Sequence, residues 1–386
     1  MKILIASDRY KEAPNGVELM VLTLSDALIQ LGHDVRILSM SPSRESQKAD
    51  DNAFLLPSFP VFLYPGYRQS LVRNHPYLEE LKNWKPDIVH THTEGSAARM
   101  ARFIAKETGA PYIMTMHTDY VKYGLHSFSD TLFARAIATP LCAFFLRSAR
   151  VVITPSQKAK EKLLSYHCKH PICVIPNGIR QECFHKDFTS EERRELLARY
   201  GIPEEKKVFV CVSRISPEKN IRELLKFFSE VIRKAPETHL MIAGDGPDMK
   251  KTRKYARKIG ITENVTFTGM IDHDSELYKY YKSAIAFVSA STFETFGLTN
   301  LEALCCGLPL ICRNDPCLEG MLTNGVNGFT FDTADEFVNA GLCLLQDSEL
   351  QQKMAAVSTE RAKLFNEKKY AQQNMKLYEK VLSQKS

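Results

Sequence analysis

The sequence predicts an α/β protein made of two doubly wound halves, each a mostly parallel sheet covered by helices. Three observations predict this. The chain has 386 residues, more than one hydrophobic core usually organises, so two domains are expected. Short apolar runs of strand length alternate with helical stripes from Met1 to about Cys173, the pattern of βαβ units. A second alternation of the same kind starts at Val208 and continues to about Ile311.

In chain order, Ile3–Ile5 reads as the first strand, Val17 to Leu31 as a helix and Asp34–Leu38 as the second strand. Further strands are expected at Asp87–His90, Tyr112–Thr115 and Val151–Thr154, with helices near 95–107 and 128–148. Such short apolar strands, separated by helix-length segments, imply parallel pairing with both faces of the sheet covered. After Val174–Gly178, a charged connector around Glu191–Glu195 leads to strands at Val208–Ser213, His239–Ala243, Val265–Phe267, 284–289 and Pro309–Ile311. From about Glu349 the tail reads as helices. The expected boundaries are 1–173 for the first domain, 174–366 for the second and 367–386 for a last helix.

At 44% hydrophobic and 25% charged residues, the composition is that of a soluble globular protein. Met1–Asp8 has too short an apolar run for a signal peptide, and no run approaches the roughly 20 apolar residues that span a bilayer. A cytoplasmic protein, at most peripheral on the membrane, is expected. Ten cysteines, several inside apolar runs, fit a reducing compartment without a disulfide framework. The cluster His167–Cys173 matches no zinc-site spacing. Most of the net charge of +6 lies in residues 1–175, which hold 21 basic and 16 acidic side chains. No lysine and arginine stripe and no recognised motif appears, so nucleic acid is not an expected partner, whereas an anionic membrane surface suits the excess.

Phe293–Glu302 is the most informative stretch. It follows a buried strand, turns at Gly297 and opens an apolar helical stripe at Leu301. In that geometry the free amides of Gly297, Leu298 and Thr299 point at whatever lies over the helix N-terminus, where the dipole favours a phosphate. Glu294 lies before the turn, at the rim of a crevice, and Glu302 just over one turn into the helix, suited to accept hydrogen bonds from a ribose diol. Arg214 and Lys219 leave the end of the first strand of the second half, where open α/β sheets bind ligands, and two cations there can hold a diphosphate. Ala243–Pro247 is a glycine turn after a strand, where Gly244 and Gly246 let the backbone approach a ligand, although the same sequence also makes an ordinary tight turn.

The two glutamates with seven residues between them resemble the signature of family 4 glycosyltransferases, retaining enzymes of the GT-B fold that use nucleotide sugars. The continuation Glu302–Ile311, with Cys306, Gly307 and Pro309 in place, is similar to the family's usual one. The resemblance covers nearly the whole chain. It implies two Rossmann-like domains facing each other across a cleft, with the helix over 367–386 crossing back to the N-terminal domain. It also implies that Arg214 and Lys219 hold the donor's phosphates, and that Gly269–Ile271, with Met270, reads the base through backbone groups. Gly16, Gly244, Phe296, Gly297, Leu298, Thr299 and Glu302 complete the implied donor site. His117 and Glu294 are the residues it places against the transferred sugar, Asp119 lying two residues beyond His117.

Two departures stand out. The family usually shows adjacent glycines where this chain has Asn15-Gly16, and asparagine is expected to tolerate the positive φ required there. Arg150 stands before the strand Val151–Thr154 where an aspartate is frequent. His90 reads as a satisfied core histidine, and His90 and His92, two apart on a strand, are expected to point to opposite faces, so no bound metal is expected. No cofactor is held tightly; a UDP-hexose is the implied donor, with magnesium at most a stimulating ion.

The acceptor is marked more weakly, as specificity in variable loops leads one to expect. Phe59–Arg73 mixes aromatics with Arg68 and Arg73, the composition of a segment lying at a bilayer interface. Tyr64–Arg68, with Tyr67 at its centre, His92–Glu94 and Met116–Tyr120 are similar to the diacylglycerol glucosyltransferase branch. The expected activity is transfer of glucose from UDP-glucose to diacylglycerol. Alternatives are a family 4 hexosyltransferase building a polysaccharide or another glycoconjugate, and a non-catalytic nucleotide-sugar-binding protein. A dehydrogenase is disfavoured because no Gly-x-Gly-x-x-Gly follows the first strand.

Overall fold

A computed structural model describes residues 1–11, 15–61, 68–117, 139–140 and 142–384. The chain divides into two compact units: Met1–Gly178 joined by Glu367–Ser386, and Ile179–Asn366. Tyr67, Asp119 and most of the helix expected near 128–148 lie outside the described residues.

The first unit contains strands β1 (Lys2–Ala6), β2 (Asp34–Met40), β3 (Gln47–Ala49), β4 (Ala53–Leu56), β5 (Phe59–Pro60), β6 (Arg68–Gln69), β7 (Ile88–Thr91), β8 (Tyr112–Thr115), β9 (Val151–Thr154) and β10 (Ile172–Val174). Its helices include α1 (Gly16–Gln30), α2 (Pro76–Trp84), α3 (Ser96–Thr108) and α4 (Gln157–Ser165). The main sheet runs β10-β9-β8-β7-β1-β2-β4-β3. All neighbours in it are parallel except β3, which is antiparallel to β4. Every residue of β4, β7, β8 and β9 is buried, which accounts for apolar residues on both of their faces.

The second unit carries α5 (Ser190–Arg199), β11 (Lys207–Val212), α6 (Ile221–Lys234), β12 (Thr238–Ala243), α7 (Met249–Lys258), β13 (Val265–Gly269), α8 (Leu277–Lys282), β14 (Ala286–Ser289), α9 (Leu298–Cys305), β15 (Leu310–Arg313), β16 (Gly328–Phe331), α10 (Ala334–Gln346) and α11 (Ser348–Ala362). Its sheet is parallel throughout in the order β13-β12-β11-β14-β15-β16. α6 shows how sequence sets packing: Ile221, Leu224, Leu225, Phe228 and Val231 recur at three- and four-residue steps and are buried against Phe209, Leu240 and Phe331.

The last helix, α12 (Glu367–Ser383), belongs to the first unit. Tyr370, Ala371, Met375, Tyr378 and Val381 form its buried stripe and share one cluster with Ile3, Ile5, Val21, Leu24 and Ile113. The return of the chain to the N-terminal unit is therefore as expected. The charged stretch Glu191–Glu195 is a helix, α5, and not a connector. A capping box starts it, Thr189 Oγ1 accepting from Glu192 N at 3.2 Å and Glu192 accepting from Thr189 N at 2.8 Å. Strands β3, β4, β10 and β16, of three or four residues each, were not read from the sequence.

Candidate active site

In a doubly wound sheet, ligands bind at the carboxyl ends of the strands where the strand order reverses. In the second unit that point lies between β11 and β14, which pair in parallel through Phe209–Ala286 and Val210–Phe287. After β11, the loop Ser213–Ile215 is clamped by the glycine turn that follows β12. Ser213 N donates to Ala243 O at 3.0 Å and Ile215 N to Asp245 O at 2.9 Å. A Cβ on Gly244, whose φ is +135°, would overlap Ser213 O, and one on Gly246 would overlap Ile215 O. The close approach that Gly244 permits is therefore to the chain's own Arg214 loop. Arg214 itself is exposed.

Asn220 binds the loop after β11 to the loop after β14. Its backbone is left-handed at φ +50°, and its side-chain amide donates to Ala290 O at 3.2 Å and to Thr292 Oγ1 at 3.3 Å. This brings Lys219 Nζ onto the carboxylate of Glu294 as an ion pair, the two side chains being 19% and 21% exposed. Burial lowers the lysine's pKa, but Glu294 overrides it and the net shift is upward, so the ammonium stays charged. Residues assigned separately from the sequence to phosphate and to sugar are thus one charged pair.

Gly297 takes φ +83° at the N-cap of α9, and a Cβ there would press on the Asn300 side chain. The first amides of α9, at Leu298 and Thr299, have no residue behind them to accept within the helix. Phe296 is buried, edge-on to Phe365 with ring centroids 5.9 Å apart. Its side chain is core, and only its backbone remains for a donor. Met270 is 62% exposed just after Gly269.

Glu302 is buried and already bonded on both oxygens. Tyr281 donates its hydroxyl proton to Oε2 at 2.7 Å, and His273 Nε2 lies 3.2 Å from Oε1. The other ring nitrogen of His273 is 2.8 Å from Asp274 Oδ1, and Arg180 backs Asp274 at 3.3 Å. Burial lowers the imidazole's pKa, but hydrogen bonds and charge from Glu302 and Asp274 carry it up to about 9. An ionised carboxylate offers about four lone-pair directions, so Glu302 keeps capacity for a diol beside these two donors. Sequence reasoning missed His273 and Tyr281. They lie 29 and 21 residues before Glu302, with no spacing rule to join them.

In the first unit the reversal lies between β1 and β7. Asp8, just past β1, is fully buried and accepts from Gly95 N at 3.0 Å and Ala97 N at 2.8 Å, fixing the start of α3 and the loop from His92. His90 bonds Tyr378 through Nδ1 and Thr115 through Nε2, both at 2.6 Å, the satisfied core role expected of it. His92 Nδ1 lies 2.8 Å from His117 Nε2, the two rings stacked 5.1 Å apart. His90 and His92 do not diverge. Their ring centroids are 4.3 Å apart, as residues two apart along a strand share a face. Burial lowers the His117 pKa to about 4, leaving a neutral ring at neutral pH. Asn15 takes φ −134° as the N-cap of α1 and accepts from Glu18 N at 2.9 Å. The positive φ expected of it is absent because its side chain is a cap, and Gly16 begins the helix.

Arg68 is turned inward. Its Nε donates to Ser58 Oγ at 2.7 Å and Ser41 O at 3.1 Å, and its Nη2 to Ser58 O at 3.1 Å. Arg68 therefore holds a loop of this unit, and the membrane role given it from composition is corrected. Arg73 is exposed, two residues from Leu71, itself 78% exposed.

Two doubly wound units with a C-terminal helix packed on the first are the architecture of GT-B glycosyltransferases. A solved structure of that kind, Anabaena HepE in complex with UDP and glucose, matches with a TM-score of 0.77 at 18% identity, covering 98% of this chain and all of that one. Residues 14–182 match the model of glycosyltransferase family 4, and residues 192–361 that of glycosyl transferases group 1. The α-monoglucosyldiacylglycerol synthase of Streptococcus pneumoniae is 32% identical over 93% of this chain and 83% of that protein. That of Acholeplasma laidlawii is 30% identical over 91% and 89%. The chain belongs to the group 1, family 4 glycosyltransferases.

Proposed function

We propose that this glycosyltransferase moves glucose from UDP-glucose to the free hydroxyl of diacylglycerol with retention at the anomeric carbon, working at the cytoplasmic face of the membrane. The observation that carries the reading is that relatives matched over 93% and 91% of the chain are both monoglucosyldiacylglycerol synthases. In this reading Arg214 and Lys219 hold the diphosphate, the amides at 297–299 take a phosphate oxygen, and Glu302 accepts the ribose hydroxyls. Glu294 and His117 hold the sugar. The bond from C1 to the UDP oxygen breaks, the bond from C1 to the acceptor oxygen forms on the same face, and the acceptor's proton passes to the departing phosphate oxygen. Charge building on that phosphate is met by fixed cations and amides.

The tests are direct. A panel of nucleotide sugars against diacylglycerol, glycolipid and soluble glycan acceptors should give turnover with UDP-glucose and diacylglycerol, and NMR should find the α-linked product. Turnover only with a soluble glycan, or a β-linked product, overturns the reading. No tightly bound metal is needed in this reading, so turnover should persist in EDTA and rise at most modestly on adding magnesium.

A further inference from the structure

The second unit separates its charge. Ile179–Asn366 holds 25 lysines and arginines against 27 aspartates and glutamates, a balance of −2. Yet α7, Met249–Lys258, carries Lys250, Lys251, Arg253, Lys254, Arg257 and Lys258 with no carboxylate, a charge of +6 that leaves −8 for the rest of the unit. Thr252 and Ala256 are the buried residues of this helix, and all six cations are exposed. At about 100° per residue those cations cover one outward arc of roughly 160°.

Helix stability does not account for this. Lys250 and Lys254, Arg253 and Arg257, and Lys254 and Lys258 are like charges four residues apart, which destabilise a helix. Lys250 and Lys251 also stand in the first turn, the wrong end of the dipole for cations. Local compensation is slight. Asp248, just before the helix, lies 3.5 Å from Lys251 Nζ. Arg253 lies over the Phe267 ring at 4.8 Å and donates to Phe267 O at 3.2 Å. The neighbouring α6 adds Arg222 and Lys226, both exposed, to the same sign. No stripe of lysine and arginine was expected, because acidic residues elsewhere in this half balance the count; α7 is such a stripe.

We propose that the outward face of α7 is a docking surface for an anionic lipid bilayer. Its cations form a continuous arc with no apolar side chain among them, so contact is with the headgroup layer by charge and not by insertion. Clusters of about four to eight cations on one face of a helix are the pattern of such contacts. The choice of a lipid partner rests on the diacylglycerol reading above. It also gives the donor-binding unit a membrane contact of its own, where the inward-turned Arg68 supplies none.

Flotation of the full chain with phosphatidylcholine vesicles, with and without phosphatidylglycerol, tests this. Wild type should float only with phosphatidylglycerol, and less as salt rises. Lys250→Glu, Lys254→Glu, Arg257→Glu and Lys258→Glu combined should weaken binding at least about a hundredfold. The same charge change elsewhere on the unit, Arg199→Glu, Lys234→Glu, Lys353→Glu and Lys363→Glu combined, should leave it intact, with circular dichroism matched across all three proteins. Wild type failing to float, unweakened binding by the first variant, or equal loss in both variants overturns the proposal. Tighter binding to duplex DNA than to the vesicles does so in favour of nucleic acid. Glucosyl transfer to a short-chain diacylglycerol dispersed in water separates the two readings: its absence in wild type sinks the acceptor assignment while leaving flotation to decide the surface.

Discussion

Lys219 and Glu294 form a partly buried pair, so changing either alone leaves an uncompensated charge in a sheltered place. Lys219→Ala should lower kcat by about two to three orders of magnitude, the loss typical of one electrostatic stabiliser. Because the residues touch, Lys219→Ala combined with Glu294→Gln should cost clearly less than the two single losses added; additive losses would show that they act separately. His273 supports a second residue-scale prediction. Its pKa is raised in the folded state from 6.5 to about 9 by Glu302 and Asp274, against the downward effect of burial. A raised pKa means that its stabilisation is fully present below pH 6.5 and is lost as pH rises through 9. The wild-type thermal midpoint should fall across that window, and His273→Asn should flatten the fall. An unchanged slope would refute the network.

At the scale of elements, the glycine turn after β12 acts as a template for the loop that carries Arg214. Gly246→Ala places a methyl on Ile215 O, a backbone atom that cannot step aside. It should cost about 1 to 3 kcal/mol of stability, measured by denaturant unfolding. Donor KM should rise with it, because the Arg214 loop is displaced. Much at this scale was legible in the sequence. Tyr112–Thr115 and Val151–Thr154 are strands at the boundaries read from their apolar runs, since a strand buried on both faces leaves an unbroken signal. Glu294, Gly297 and Glu302 were placed before the turn, at the turn and in the helix because one local segment holds them all. What was illegible lies across the sheet. Lys219 reaches Glu294 over 75 residues and His92 reaches His117 over 25, through strand neighbours that only the folded topology defines. Glu191–Glu195 misled by its charge, which in fact marks the first turn of a capped, half-exposed helix.

Across the whole molecule, acid acts more on the first unit, which buries three histidines held neutral, than on the second, which buries His239 in the same way. His90, His92 and His117 are buried and held neutral, burial taking His90 to about 3 and His117 to about 4. A depressed histidine pKa means that the unfolded chain takes up protons first, so stability is lost as pH falls from 6.5 through about 4. Acid should therefore unfold Met1–Gly178 before Ile179–Asn366, visible as earlier loss of hydrogen-exchange protection in β7 and β8 than in β11 and β12. The first unit also depends on residues far along the chain, for Tyr378 of α12 supplies the hydroxyl that His90 bonds at 2.6 Å. During synthesis this sets an order of events. The ribosome must make the 188 residues from Ile179 to Asn366 before α12 emerges, a delay of about 10 to 40 s at ordinary elongation rates. For that interval the face of the nascent N-terminal sheet made by Ile3, Ile5 and Ile113 has α1 to cover it but not α12. The second unit, continuous in sequence, can finish first, and the protein's oldest segment is the last to be sealed.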